Sequence, residues 1–479
     1  MKRTKKILVG LLATLSVLSG SLGLVACGGN DSSSSSNGSN VEQSSDSNVS
    51  SDEESSSDDE NSSNDENSSD EDGSNDEGIK NFSQGLEYTL LDGDTYEVTG
   101  IGDCMDTEII IPSSYNGKAV TSIGDYAFDY CDSLTSIEIP DSVTSIGKEA
   151  FFYCSSLTSI EIPDSVTSIA DYAFDYCDSL TSVYITDIEA WCNISGLANL
   201  MTVASSNKNL YLNNELVTEL EIPNTVTEIK AYAFYNCDSL TSVVIGDSVT
   251  SIGYDAFAWC DNLTSIEIPD SVTSIGGKAF SDCDSLTSIV IPDSVTSIGD
   301  NAFAYCYRLV EVVNKSTYIT IEKGSSANGL VGRYALAVYN SGDEFTGTKL
   351  SNDNGYIVYT DGEEKILVDY TGTKTDLTLP SYITKINQYA FYNCDSLTSV
   401  TIPDSVTSIG SSAFYDCSSL TSIVIGDSVT SIGEEAFYAC KSLTGITFNG
   451  TKAQWKAIET GYNWIDNVPA KKVVCSDGE

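Results

Sequence analysis

Residues 150–172 read AFFYCSSLTSIEIPDSVTSIADY, and close variants of this 23-residue stretch recur along the chain. An Ala-Phe pair with a cysteine three residues after the phenylalanine occurs ten times, and most successive pairs are 23 residues apart. The phenylalanines are Phe128, Phe151, Phe174, Phe234, Phe257, Phe280, Phe303, Phe391, Phe414 and Phe437. Self-similarity at a fixed short period predicts stacked coils that share one continuous core, which is a solenoid.

Each repeat contains two short apolar runs that are separated by a turn. The first run, LTSIEIP at 134–140, alternates apolar and polar residues and predicts a short strand. Its proline lacks a backbone donor and ends the strand, and Asp141 and Ser142 then favour a turn. The second run, VTSIG at 143–147, again directs two apolar side chains inward. The Ala-Phe-x-x-Cys segment closes the coil, with phenylalanine at its centre.

The unit C-x-x-L-x-x-I-x-I-P-x-x-V-x-x-I-x-x-x-A-F resembles the BspA-like class of bacterial leucine-rich repeat over about residues 100–448. The resemblance implies a β-rich leucine-rich-repeat solenoid, in which the strands of 23-residue repeats stack into a parallel sheet. Members of that family are surface proteins that are generally linked to attachment to host or neighbouring cells. These properties are expectations that come with the resemblance.

Two interruptions separate three blocks of regular repeats, and the pattern resumes in phase after each. Short helices with a buried tryptophan are predicted in the first insert (DIEAWCNI, 187–194) and near the C-terminus (TKAQWKAI, 451–458). Hairpins are predicted at 355–370, around Asp361-Gly362, and at 86–98.

Because open solenoid ends expose apolar side chains, we expect a cap at each end. With the inserts counted, the spacing predicts roughly 14 coils. The predicted organisation is an N-terminal β cap at 81–112, a solenoid at 113–448 with inserts at about 186–217 and 307–376, and a C-terminal cap at 449–479.

The N-terminus is typical of an exported protein. Residues 1–26 combine a basic start, an apolar stretch and small residues near the end, which predicts a secretory signal peptide. The sequence LVAC at 24–27 resembles the bacterial lipobox, so Cys27 is the predicted lipidation site, and the two chains of a diacylglyceryl group suffice for stable anchoring. The predicted location is therefore the extracellular face of the bacterial cell membrane, lipid-anchored. An uncleaved transmembrane anchor is the alternative.

Residues 27–80 consist mainly of Ser, Asn, Asp and Glu. Such a segment cannot bury enough apolar surface to offset its chain entropy, so we predict a disordered acidic linker. It would serve as a stalk, and an acidic tail that binds a cation or partner is the alternative.

Charge and composition exclude several functions. The chain has 70 acids and 23 bases; 16 acids fall in 28–79 and four bases in 1–27, so the part from Lys80 onward carries −35. Such a surface repels phosphate backbones, and we predict no nucleic-acid partner. The chain has no histidine, which removes the commonest general base. We therefore predict that the protein is not an enzyme and uses no cofactor.

The cysteines that follow the Ala-Phe pairs form a column. A metal array or a disulfide ladder is one interpretation. Because every thiol has the same role in its coil, we instead predict structural, buried thiols that behave as small apolar residues, and no metal site. The column comprises Cys131, Cys154, Cys177, Cys237, Cys260, Cys283, Cys306, Cys394, Cys417 and Cys440.

The outward strand positions and the turn aromatics are the candidate binding residues. Solenoids usually bind partners on the sheet face, and amphipathic rings at a turn edge suit sugar or protein contact as well as packing. The candidates are Glu138, Glu161, Tyr184, Val244, Glu267, Val290, Trp259 and Tyr305. The predicted function is a protein-binding or adhesion module whose partners are extracellular proteins or glycans. The alternative is a glycan-binding or passive cell-envelope spacer module.

Overall fold

The computed structural model describes residues 82–203 and 208–478. The predicted signal peptide, the acidic linker to Lys80 and Cys27 lie outside these residues. In each regular repeat the first apolar run forms one strand, such as Ser136–Glu138, and the second run forms another, such as Ser145–Ile146. Equivalent strands of neighbouring coils pair in parallel at a 23-residue offset, as Ser242 pairs with Ser265. The described residues form a β-solenoid of about 16 turns, which confirms the predicted fold class.

The strands of the first run stack into what we call the face ladder. Both predicted caps also contribute a strand to it, which is why the turns exceed the roughly 14 predicted. Its strands are Glu108–Ile110, Ser136–Glu138, Ser159–Glu161, Ser182–Ile185, Asn209–Leu212, Glu219–Ile222, Ser242–Ile245, Ser265–Glu267, Ser288–Ile291, Glu311–Asn314, Ala337–Tyr339, Asp376–Thr378, Ser399–Thr401, Ser422–Ile425, Gly445–Phe448 and Val473–Cys475.

The strands of the second run form a narrower stack, the edge ladder. Its strands are Tyr96–Gly100, Lys118–Ile123, Ser145–Ile146, Ser168–Ile169, Glu228–Ile229, Ser251–Ile252, Ser274–Ile275, Ser297–Ile298, Glu364–Tyr370, Lys385–Ile386, Ser408–Ile409, Ser431–Ile432 and Glu459–Thr460. Antiparallel partners add hairpins at Glu87–Leu90, Ser114–Tyr115, Glu215–Leu216, Leu350–Asp353 and Tyr356–Asp361. The hairpins predicted at 86–98 and 355–370 are among them.

The Ala-Phe segments form a third stack that contains no strands. The residues two before and two after each of the ten phenylalanines all have φ between 48° and 62°. This left-handed conformation turns every second peptide toward the next coil, so Phe128 N–H donates to Ala150 C=O (2.8 Å) and Tyr130 N–H to Phe152 C=O (2.8 Å). The backbone donors of the turn are thus satisfied between coils.

The phenylalanines of the repeat fill the centre of the solenoid. Within each block their rings stack nearly parallel, with centroid separations of 5.0 Å between Phe151 and Phe174 and 5.5 Å between Phe257 and Phe280. One apolar core extends from Leu86 to Ala335, and a second extends from Val358 to Cys475. The second insert therefore separates two stacks of packed coils.

The inserts and the C-terminus contain the helices of the described residues: α-helices Ile188–Asn193, Ala198–Met201 and Lys452–Trp455, and a 3₁₀ helix at Asn328–Leu330. Asp187 caps the first helix as predicted, and Trp191 is buried with its indole N–H donating to Ala233 C=O (2.8 Å). That bond reaches the next block across the interrupted repeat. The prediction of a second buried tryptophan was wrong, because Trp455 lies at the end of the stack and is only half-buried.

A buried ion pair connects the second insert to the solenoid. Arg308 Nε lies 2.9 Å from Asp369 Oδ1, and both side chains are nearly inaccessible. The N–H does not point at this oxygen well enough for a hydrogen bond, so the contact is an ion pair. The same guanidinium donates to the carbonyls of Asp284 (3.3 Å) and Tyr392 (3.4 Å). Arg308 therefore joins the end of one block to the hairpin and to the start of the next.

Candidate partner-binding surfaces

The cysteine column supports the backbone of the Ala-Phe turns. In coils that follow another regular coil, the thiol donates to the carbonyl of the phenylalanine 26 residues earlier, as Cys154 does to Phe128 (3.2 Å) and Cys440 to Phe414 (2.9 Å). The same contact is made by Cys177, Cys260, Cys283, Cys306 and Cys417. These thiols act as weak donors in an apolar environment.

The first coil of a block has no phenylalanine carbonyl before it. Cys131 and Cys237 accordingly contact only a carbonyl of their own turn at 3.9 Å, and Cys131 is half-buried whereas its equivalents are buried. Cys394 is fully buried at the same position. No group of three or more cysteines and acids placed to hold a metal ion occurs in the described ranges.

We expect the buried thiols to resist alkylation in the folded protein. Burial raises the pKa of Cys131 to about 11 and raises the pKa of Cys260, Cys283 and Cys306 well above the ordinary value. Because the thiolate is the reactive form, iodoacetamide at pH 8 should modify Cys131 first and the buried thiols at least about 100-fold more slowly than in urea. Mass-spectrometric peptide mapping would measure this. Equal rates in folded and unfolded chain would contradict the burial of the column.

The predicted face residues occupy one outward row of the face ladder. Glu161 pairs with Tyr184, and Val244 pairs with Glu267 in the next block. Glu161 and Glu267 are exposed, and Val244 is 43% exposed although it is apolar. The half-buried members are Glu138, Tyr184 and Val290. The row therefore contains acids together with apolar and aromatic groups.

The first insert extends this row with an aromatic pair. Asn209–Leu212 pairs in parallel with Ser182–Ile185, which places Tyr211 beside Tyr184. Their rings stack at 4.5 Å with an interplanar angle of 14°. Sequence reasoning missed Tyr211 because the insert departs from the repeat, although its NLYL run has the strand alternation.

The structure brings the other two candidates, Trp259 and Tyr305, to one groove of about 520 Å³. We call it the Ala-Ser groove, because Ser281 and Ala304 are among its lining residues. Ala258, Ser281 and Ala304 directly follow the phenylalanines of three successive coils. At the same position five other coils carry a ring, at Phe152, Tyr235, Tyr392, Tyr415 and Tyr438, and two carry aspartate, at Asp129 and Asp175. The groove therefore exists where the repeat replaces a ring with a small side chain.

Charged side chains on the rim of the Ala-Ser groove were missed by sequence reasoning. Asp255 and Lys278 lie two residues before their phenylalanines, and Asp282 lies two residues after, all facing the groove with Arg333 of the second insert. Burial raises the pKa of Asp255 and of Asp282, and Lys278 opposes both shifts. The one available indication in the sequence was the run of small residues after phenylalanine.

The chain belongs to the family of proteins with a BspA type leucine-rich repeat region. The family model matches six copies over residues 103–196, 205–328 and 369–461, which is more than half of the chain. No curated protein is significantly similar to it. Within residues 82–203 and 208–478, no helix has the length and apolar character required to cross a membrane.

Several solved bacterial structures are similar to this chain. A leucine rich cell surface protein from Faecalibacterium prausnitzii A2-165 is 26% identical over 80% of this chain and 98% of its own, with a TM-score of 0.30. A leucine-rich repeat protein from Bacteroides ovatus ATCC 8483 is 23% identical over 84% of this chain and 91% of its own, with a TM-score of 0.30. The pneumococcal vaccine antigen PcpA is 15% identical over 82% and 80%, with a TM-score of 0.31. The family assignment rests on the repeat match, because the overall superpositions are poor.

Proposed function

We propose that this protein is an adhesion module that binds extracellular proteins through its face ladder and catalyses no reaction. The lipobox-like sequence at 24–27 supports a location at the extracellular face of the bacterial cell membrane, with a lipid on Cys27 as the anchor. The observation that carries the proposal is the outward row of the face ladder. That row presents Val244 and the Tyr184–Tyr211 pair between exposed acids.

A protein partner suits this row better than a small ligand. The side chains lie in register on successive parallel strands, so they form an extended surface rather than a pocket. Accessible aromatic and apolar groups between charges are typical of interface cores and rims. Because the chain from Lys80 onward carries −35, the partner should present basic groups, and binding should weaken as salt increases.

The test is binding of bacteria that display the full chain to arrays of extracellular-matrix proteins and bacterial surface extracts. We expect saturable binding that weakens at least about tenfold when Tyr184→Ser and Val244→Ser are combined, since both remove accessible contact groups. Leu90→Ser is the matched control. It removes an apolar side chain that is 50% exposed in the N-terminal hairpin, away from the face ladder. Absence of binding on every protein array would contradict the proposal and favour a spacer role.

A further inference from the structure

The Ala-Ser groove differs from the rest of the surface in both shape and charge. A volume of about 520 Å³ lies in the range of small-molecule sites. Its rim carries two acids, Asp255 and Asp282, opposite two bases, Lys278 and Arg333. The groove is therefore locally neutral in a chain with a large negative charge.

The aromatic rings of the groove have accessible faces. Trp259 is 42% exposed and Tyr305 is 54% exposed, and they lie two coils apart, with Asp282 on the coil between them. Both have φ near 60°, a conformation that bulky residues adopt rarely. The same position carries tyrosine at Tyr130, Tyr153 and Tyr176 and asparagine at Asn236 and Asn393, so the conformation belongs to the repeat. Of the ten coils, only the one with Phe257 places a tryptophan there.

We propose that the Ala-Ser groove binds a short, uncharged oligosaccharide. Sugar rings present apolar C–H faces that pack on Trp259 and Tyr305, as amphipathic contacts require. Their hydroxyl groups donate to Asp255 and Asp282 and accept from the basic side chains, because each hydroxyl both donates and accepts. A charged ligand would be repelled by the rim side chains that carry a charge of the same sign.

The length of the groove also fits this ligand. Coils stacked at about 4.8 Å make three coils span roughly 14 Å, which accommodates two or three hexose rings. Tyr235 lies at one end and Tyr334 of the second insert at the other, so the groove is bounded along the solenoid. An extended peptide would require a longer, open channel. The site is separate from the face ladder, so the inference does not depend on the proposed protein-binding function.

The test titrates the full chain with neutral trisaccharides of glucose, galactose, mannose and N-acetylglucosamine by isothermal titration calorimetry. At least one should bind, with Trp259→Ala weakening it tenfold or more. Ser281→Tyr introduces the type of ring that other coils carry at this position, such as Tyr235, and should abolish binding. Tyr415→Ser is the matched control, because it exchanges the same two residue types in a coil outside the groove and should leave the affinity within twofold.

Thermal unfolding by circular dichroism identifies variants that fail to fold, and Trp259→Phe, which keeps a ring, should retain part of the affinity. Absence of binding by all trisaccharides would overturn the proposal. Full affinity in a folded Ser281→Tyr variant would also overturn it, and so would binding of peptides in place of sugars. The combined Tyr184→Ser and Val244→Ser variant should keep its sugar affinity, which separates this site from the face ladder.

Discussion

Phe257→Ala is expected to lower the free energy of unfolding by about 3–5 kcal/mol, the range for a large aromatic removed from a well-packed core. Phe257 is fully buried and stacks against Phe234 at 5.2 Å and Phe280 at 5.5 Å. The substitution removes both ring contacts and leaves a cavity that the neighbouring coils cannot fill, because their backbones are hydrogen-bonded on both sides. Urea unfolding followed by circular dichroism measures the change.

Phe152→Ala provides the matched control for this loss. Phe152 directly follows a columnar phenylalanine but is half-buried and packs edge-on against Tyr153 and Tyr176. Phe152→Ala should lower the free energy of unfolding by no more than about 1.5 kcal/mol, because much of the ring is already in water. Equal losses for the two variants would mean that the Phe column does not hold the coils together.

Arg308→Met is expected to destabilise the junction between the blocks by about 3–5 kcal/mol at pH 7, because Asp369 is then left buried and unpaired. Burial already raises the pKa of Asp369 in the intact protein, and the Arg308 guanidinium opposes that shift. Removing the guanidinium should raise the pKa further. Urea unfolding of the parent protein and of Arg308→Met at several pH values measures the difference between their free energies of unfolding.

The pH dependence distinguishes an electrostatic loss from a packing loss. A carboxyl whose pKa is higher in the folded than in the unfolded chain destabilises the fold as the pH rises from its ordinary pKa of 3.8 through the folded-state pKa. The loss of unfolding free energy in Arg308→Met should therefore become smaller as the pH falls and Asp369 becomes protonated. Adding Asp369→Leu should recover most of the stability at pH 7. A deficit that is constant with pH and persists in the double variant would contradict the buried-charge account.

The regular coils could be predicted because their period has a direct physical cause. Each unit alone cannot bury Phe151 or Ile160, so identical neighbours must stack and place them inside. The hairpin around Gly362 and the helix capped by Asp187 follow from local turn and capping chemistry. These features depend only on nearby residues or on exact repetition.

The features that were missed depend on contacts that repetition does not encode. Arg308 and Asp369 meet only because the second insert folds its hairpin back onto the coil that precedes it. The left-handed pairs around each phenylalanine occur at tyrosine, glutamate and lysine as well as at asparagine and aspartate, so the residue type alone does not mark that conformation. The Ala-Ser groove results from side chains that are absent from a position, so a search for conspicuous residues found Trp259 and not the space beside it.

Hydrogen–deuterium exchange of the full chain, with and without a protein that binds it, tests the adhesion proposal most directly. The account predicts slower exchange on binding in the face-ladder strands Ser182–Ile185 and Ser242–Ile245, together with the insert strand Asn209–Leu212, and unchanged exchange in the Ala-Phe turns. Protection confined to those turns, or to the edge ladder, would contradict the account.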